Sequence, residues 1–299
     1  MNGLIIINKE AGYTSHDVVA KMRGICKQRK IGHTGTLDPM ATGVLPVCLG
    51  KATGVCSLLT ESDKEYRATF QLGIQTDTQD ITGEILSQKE VNCTLDQIKT
   101  AILSFVGKQT QIPPMYSALK INGQKLCDLA RSGKTVDRNP RPIEIYQITI
   151  LQIQLPLVEI LVSCSKGTYI RTLCHDIGEV LQCGACLTKL VRTKAAGYTL
   201  DQAITLQELQ EFKDSGQLDQ ICMAVDSVFL HLPKVTVRNE YQKQLVNGNC
   251  LPAPYIPEYP SAKDGHQIRI YDESGQFVGV YAFRKEKNEW KPVKLFLER

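Results

Sequence analysis

GHTGTLDPMATGVLP, residues Gly32 to Pro46, is the stretch whose reading decides this chain. It carries one carboxylate, Asp38, with no second acid within eight residues on either side. Pro39 follows it, and proline steers the preceding residue away from helical backbone, which predicts Asp38 in an extended or turn conformation. Gly32, Gly35 and Gly43 allow positive φ and close approach of another backbone. A bare Leu-Asp-Pro would most simply be a turn between two elements. A single acid on a glycine-punctuated loop also fits a carboxylate presented to a ligand, and the surroundings must choose between the two.

Upstream, Leu4–Ile7 reads as a short buried strand. Thr14 and Asp17 have the spacing of a helix cap, and Val18, Met22 and Ile25 then recur at helical period. That helix ends in Lys27-Gln28-Arg29-Lys30, where cations suit the helix C-terminus and stand next to the Asp38 loop. Downstream, Val44–Leu49 reads as a strand and Lys51–Leu59 as a helix. Residues 63–72 alternate, with Tyr66, Ala68, Phe70 and Leu72 on one face, so pattern alone makes Tyr66 a core aromatic. Gln75–Gly83 is a polar loop holding Asp77 and Asp80. Thr94 and Gln97 form a capping box for a helix ending at Gly107. The paired prolines of 112–120 exclude regular structure there. A turn at Asn122-Gly123 and a short helix over Lys125–Arg131 follow. The whole stretch 107–142 reads as a basic excursion from the core. Ile143–Gln154, Leu157–Cys164 and Cys186–Thr193 are predicted strands, a helix runs from about Arg171 to Leu181, and Thr205 and Glu208 cap another. The character changes around 213–225. Beyond it, Val235–Val237, a helix near 240–246 and a hairpin of Gln267–Tyr271 with Phe277–Phe283 suggest a small β-rich module. The predicted division is a catalytic domain over 1–224 and the module over 225–299.

Composition narrows the class. With 299 residues, 42% hydrophobic and 22% charged, the chain has the make-up of an ordinary globular protein with room for two domains. A net charge of +4 permits a nucleic-acid partner without demanding one. No apolar run approaches the ~20 residues of a membrane span, and the first residues lack the features of a secretory signal. Eleven cysteines, an odd number, read as small buried hydrophobes in a reducing cytoplasm rather than a disulfide framework.

The common motifs do not fit. Gly43 and Gly50-Lys51 are too far apart for a phosphate-binding loop, and Ala52 stands where a hydroxyl would be needed. The pairs His16-Asp17 and His175-Asp176 are thin support for a metal-dependent phosphohydrolase, and the Cys183/Cys186 pair has no second pair at zinc spacing. There is no nucleophile elbow. One chemistry that suits a lone loop carboxylate among basic and aromatic residues is attack on, or deprotonation of, a nucleoside held outside its stack. An arginine beside such an acid would lower its pKa and keep it ionised.

The residues HTGTLDPMATGVLPVCLG, DKEYRA, QTDTQD, IPPMYSALK and CSKGTYIRTL, in that order, closely resemble the bacterial TruB family of tRNA pseudouridine-55 synthases, over about residues 3 to 195. The resemblance implies an α+β fold: a mixed, mostly antiparallel sheet with helices around a central cleft, 107–142 as an RNA-gripping insertion, and a C-terminal PUA-like module. It places the catalytic residue at Asp38 and substrate contacts at His33, Tyr66, Tyr169 and Leu190. Arg171 is the implied cation paired with the carboxylate, Asp80 the acid that orients it, and Lys9 the basic residue after the first strand. It implies the T-arm of tRNA as partner, no metal, no organic cofactor and no obligatory protein partner, with a monomer as the default. Lys27, Arg29, Lys30, Lys120 and Arg192 are expected at phosphates. Gln75 departs from the arginine common in its loop. A non-catalytic tRNA-binding or tRNA-folding protein is the alternative, distinguished by whether Asp38 matters to anything but binding.

Overall fold

The computed structural model describes residues 1–121 and 123–297. In chain order the strands are β1 (Gly3–Lys9), β2 (Ile31–His33), β3 (Thr42–Leu49), β4 (Lys64–Leu72), β5 (Ile74–Thr76), β6 (Ile85–Gln88), β7 (Gly107–Gln111), β8 (Lys120–Ile121) and β9 (Gln124–Lys125). They continue with β10 (Arg141–Gln154), β11 (Leu157–Cys164), β12 (Ala185–Ala195), β13 (Tyr198–Thr199), β14 (Lys234–Val237), β15 (Leu251–Pro252), β16 (Gln267–Asp272), β17 (Phe277–Arg284) and β18 (Glu289–Leu295). The helices are α1 (Ser15–Ile25), α2 (Cys56–Thr60), α3 (Leu95–Leu103), α4 (Leu126–Arg131), α5 (Ile170–Val180), α6 (Leu206–Asp214), α7 (Leu218–Ile221) and α8 (Gln242–Val246).

Local sequence explains most of these. Thr14 accepts from the backbone N–H of Asp17 while the Asp17 carboxylate accepts from that of Thr14, a reciprocal cap that starts α1. Thr94 with Gln97 and Thr205 with Glu208 do the same for α3 and α6. β4 alternates buried and less buried positions along its length, as its sequence predicts. The helix expected over Lys51–Leu59 is instead a 3₁₀ turn over Gly50–Val55 leading into α2. Glycines at 50 and 54 dilute helix propensity there.

Among the described residues the main sheet runs β1-β3-β12-β4-β11-β10-β7, with β2 beside β3 and β13 beside β12. Every neighbouring pair is antiparallel except β3 with β12, which pair in parallel through Val191↔Thr42 and Arg192↔Gly43. The mixed, mostly antiparallel sheet predicted from sequence is therefore present. Gly43 makes the parallel junction possible: its φ is +106°, and a Cβ there would lie 2.3 Å from the Arg192 carbonyl oxygen. The stretch 107–142 is not wholly an excursion. Its first residues form β7, paired with the start of β10 at the sheet edge. Gly-Lys-Gln-Thr-Gln has no apolar alternation to announce a strand. Of the Asn122-Gly123 turn, Asn122 lies outside the described residues.

The second sheet, β14-β16-β17-β18-β15, folds around Val237, Leu251, Ile268, Ile270, Tyr281 and Trp290. It supplies the β-rich C-terminal module, with β18 as a strand the sequence reading did not anticipate. Phe229, Phe277 and Phe296 join it to the first sheet by packing with Leu4, Cys48 and Val55. No helix among the described residues is long and apolar enough to cross a membrane.

Candidate active site

The Asp38 loop leaves β2, turns and enters β3 beside the parallel junction with β12. Several contacts hold it. Leu37 donates its N–H to the buried Ser15 hydroxyl at 2.9 Å, and Ala41 closes a turn onto the Asp38 carbonyl at 3.1 Å. The Lys9 ammonium, buried at the end of β1, donates to the carbonyls of Pro39 (3.0 Å), Tyr13 (2.6 Å) and Glu10 (3.0 Å). Burial lowers the Lys9 pKa to about 8, opposed by the charge of Asp38. Lys9 thus clamps the backbone next to the carboxylate rather than touching it.

Arg171, in the first turn of α5, spans the sequence to reach Asp38. Its Nε lies 2.9 Å from Oδ2 and its Nη2 donates to Oδ1 at 3.2 Å, a fork-to-fork pair. The same guanidinium donates to the carbonyls of Thr78 (3.0 Å) and Tyr116 (2.7 Å), and its Nη1 stands 3.6 Å from Asp80. The Arg171 side chain is 6% exposed, whereas that of Asp38 keeps 41% of its surface open to solvent. Packed on most sides yet open on one, the acid is both desolvated and reachable.

That balance corrects an expectation. Arg171 does pull the Asp38 pKa down, but burial acts more strongly and in the opposite sense, with Asp80 adding repulsion. The net direction is upward from the ordinary aspartate value. Desolvation of a charge outweighs one good ion pair when the partner's hydrogen bonds are shared with two carbonyls.

Asp80 is fixed in turn. Its Oδ1 accepts from the Thr78 hydroxyl (2.9 Å), the Thr82 N–H (3.0 Å) and the Thr82 hydroxyl (2.5 Å). The loop between β5 and β6 is tied to β12 through Leu187 N–H to the Gln79 carbonyl at 3.0 Å. The Thr-and-Asp composition of QTDTQD therefore builds a rigid support for one arm of Arg171. Gln75 donates instead to Glu179 at 3.3 Å, away from Asp38.

Tyr66 is 9% exposed and packs in a cluster with Leu37, Ala41 and Leu190, so the alternation along β4 read its burial correctly. Leu37 and Ala41 flank Asp38 on its loop, and Leu190 stands on β12 opposite Ala68. Tyr66, Leu190 and the two loop residues thus make an apolar floor beside the carboxylate. Tyr169 is the N-cap residue of α5, two positions before Arg171. Its backbone N–H and carbonyl are both held by the Gln111 side chain, at 2.8 and 3.0 Å. His33 lies edge-on to His16 with ring centroids 5.1 Å apart, and its buried Nδ1 has no hydrogen-bond partner. Burial, His16 and Arg192 together lower its pKa to about 4, which keeps the imidazole neutral near pH 7.

Of the expected phosphate contacts, Lys27, Arg29, Lys30 and Lys120 are exposed. Arg192 is not: it is 1% exposed and donates to the carbonyls of Val44 (2.7 Å) and Gly35 (3.3 Å). Its spacing among Leu187, Leu190 and Val191 hid this, because the pattern of one strand does not show which of its faces other elements cover. Gln111, Thr78 and the Tyr116 carbonyl were also missed. They contribute backbone or orienting groups that no motif announces. His16-Asp17 is not a metal pair, since the Asp17 carboxylate is occupied in the α1 cap. A cavity of about 730 Å³ between α1 and α6, lined by Glu10, Tyr13, Lys21, Lys213 and others, contains none of the residues around Asp38.

The fold has solved counterparts. A chain of a Cbf5-Nop10-Gar1 complex superposes with a TM-score of 0.73 at 29% identity, covering 99% of this chain and 85% of that one. A chain of an H/ACA RNP bound to a substrate RNA containing 2′-deoxyuridine gives 0.72 at 26% identity, covering 99% and 86%. Residues 23–170 match the family model for the N-terminal domain of TruB family pseudouridylate synthases, and residues 171–230 that for the C-terminal domain of tRNA pseudouridylate synthase B. Proteins called tRNA pseudouridine synthase B from Alkaliphilus oremlandii and Lachnoclostridium phytofermentans are 46% and 49% identical to it. Each alignment covers 99% of this chain, with 97% and 100% of the respective relative. The chain belongs to the TruB family of pseudouridylate synthases, and is accordingly an isomerase.

Proposed function

We propose that this enzyme isomerises uridine to pseudouridine at position 55, in the T-arm of tRNA, with Asp38 as the catalytic residue. The observation that carries this reading is the Asp38 carboxylate, forked by Arg171 and open to solvent beside the apolar floor of Tyr66 and Leu190. In a family of pseudouridylate synthases, that is where a reacting ribose can meet an acid.

The target nucleotide must leave its stack to reach the site, at a cost of a few kcal/mol. Asp38 then assists cleavage of the C1′–N1 bond, either by adding to C1′ or by removing the C2′ proton to leave a glycal. The detached uracil carries the bonding pair away on its ring. It turns beside Tyr66 and Leu190, and C5 bonds to C1′. On the first route this displaces the Asp38 carboxylate from C1′; on the second, Asp38 returns its proton to C2′. The C5 proton is then lost and N1 gains one, so the product is an isomer of the substrate. Both routes need the carboxylate ionised, and its upward-shifted pKa makes it the stronger base once ionised. Arg171 and Asp80 set its orientation. Neutral His33, the last residue of β2, helps displace the base, and Tyr169 at the start of α5 contacts substrate. The chemistry is drawn wholly from the chain's own side chains. Exposed Lys27, Arg29, Lys30 and Lys120 supply phosphate contacts, so binding weakens with salt.

The test is incubation with an unmodified tRNA transcript, followed by carbodiimide treatment and reverse transcription. A stop at the T-loop uridine that disappears with Asp38→Asn, while tRNA binding persists, is the expected result. An equal stop with the variant removes Asp38 from the chemistry. No stop with the wild type removes the proposed substrate position.

A further inference from the structure

Arg192 presents a problem that the catalytic assignments above leave open. It is among the largest fully buried side chains of the protein, yet among the described residues no carboxylate balances its charge. The charged groups that feel it are Lys9, Lys64 and, when protonated, His33, all cationic. A buried ion without a counter-ion is costly, and an apolar side chain of similar volume would serve packing better.

Its side chain meets the site in three places. Nε holds the Val44 carbonyl near the start of β3 at 2.7 Å, and Nη2 holds that of Gly35 in the Asp38 loop at 3.3 Å. The third neighbour is Tyr66, the register partner of Arg192 across β4 and β12, whose side chain interacts electrostatically with the guanidinium. Gly35, with φ +113°, lies against the guanidinium: a Cβ there would be in ordinary contact with Nη1 at 3.7 Å. One rigid planar group therefore bonds to the loop that carries the acid and stands beside Tyr66.

We infer that Arg192 is a positioning residue for the isomerisation, fixing the distance between the Asp38 loop and the Tyr66 ring through its bond to Gly35 and its cross-strand pairing with Tyr66. This rests on the functional reading above. Arginine is required because its fork reaches several acceptors in fixed directions, whereas lysine keeps the charge as a single point. A displacement of about 1 Å in a reacting geometry can cost on the order of 100-fold in rate.

Single-turnover conversion of a tRNA transcript, tRNA affinity by filter binding and thermal unfolding are measured for wild type, Arg192→Lys, Tyr66→Phe and the double variant. Wild-type conversion is the control, and its absence would indict the functional reading rather than this one. The expected result for Arg192→Lys is a rate lower by about 10- to 100-fold with affinity changed by less than about threefold. Tyr66→Phe, which removes only the hydroxyl, slows the reaction in the same manner. The double variant loses less than the product of the two single losses, because both break one connection. A folded Arg192→Lys with the wild-type rate overturns the inference, as does a loss that multiplies in full with that of Tyr66→Phe. Should Arg192→Lys fail to fold, Tyr66→Phe decides alone, and a full rate there refutes the connection.

Discussion

Replacing Arg171 by Met removes the group on which the proposed site converges, and the structure sets the size of the effect. Four contacts of 2.7 to 3.2 Å are lost, two to Asp38 and one each to the carbonyls of Thr78 and Tyr116. Breaking a buried ion pair from one side costs about 3–5 kcal/mol. The lower end applies here, because the abandoned carboxylate is 41% exposed and regains water. A loss of about 3 kcal/mol corresponds to a fall in Tm of roughly 6–12 °C for a domain of this order of size. The sharper consequence lies in the pH–rate profile. Arg171 is the principal influence holding the Asp38 pKa down against burial, so without it that pKa rises further. Activity needs the ionised form, and the acid limb of the single-turnover profile therefore moves to higher pH in Arg171→Met. Arg171→Lys, which keeps a charge but not the fork, falls between. The measurement is the single-turnover rate against pH for variants shown to be folded by thermal melts. A folded Arg171→Met whose acid limb coincides with that of wild type would refute the electrostatic argument.

Asp38→Asn should abolish turnover without lowering stability. A folded-state pKa above the unfolded value means the ionised acid opposes folding at neutral pH, a penalty relieved as pH falls through the folded pKa. Tm at pH 7 should be unchanged or higher in the variant, and a clear drop would contradict the sign. His33 behaves oppositely in acid. With its folded pKa lowered to about 4 from 6.5, the stability due to the neutral imidazole is present above about pH 6.5 and is lost as pH falls toward 4. His33→Asn should therefore flatten the fall of Tm across that window, and parallel Tm curves for the two proteins would count against it. Gly43→Ala forces a Cβ to within 2.3 Å of the Arg192 carbonyl at a φ of +106°. It should destabilise by about 3 kcal/mol or more, combining backbone strain with overpacking, and a chemical melt within about 0.5 kcal/mol of wild type would show that the β3–β12 junction tolerates separation.

Some of this was legible residue by residue. The caps at Thr14, Thr94 and Thr205 are written in four consecutive residues each, and α1, α3 and α6 begin where those letters place them. β4 announces itself by alternation, and the buried position of Tyr66 with it. β7 and β18 did not stand out, one lacking apolar alternation at a sheet edge, the other carrying Lys291, Pro292 and Lys294 after Trp290, its one buried position. The 3₁₀ turn before α2 shows the same limit, since apolar spacing cannot tell one helical winding from another when glycines intervene.

By itself the sequence determined that a lone acid would sit on a glycine-bounded loop between a helix and a strand, because turn chemistry and backbone sterics act over a few residues; the short strand β2 before the loop was not legible in it. It also carried the long motifs by which the family is identified. The resemblance named Arg171 as the partner of that acid, but only the tertiary structure decided how the two meet: a guanidinium 133 positions away, itself held by backbone carbonyls from two further loops. Burial decided the rest. It turned Arg192 from a surface cation into an interior one and raised the Asp38 pKa in spite of its arginine. Desolvation depends on everything packed around a group, and no local pattern of residues encodes that sum.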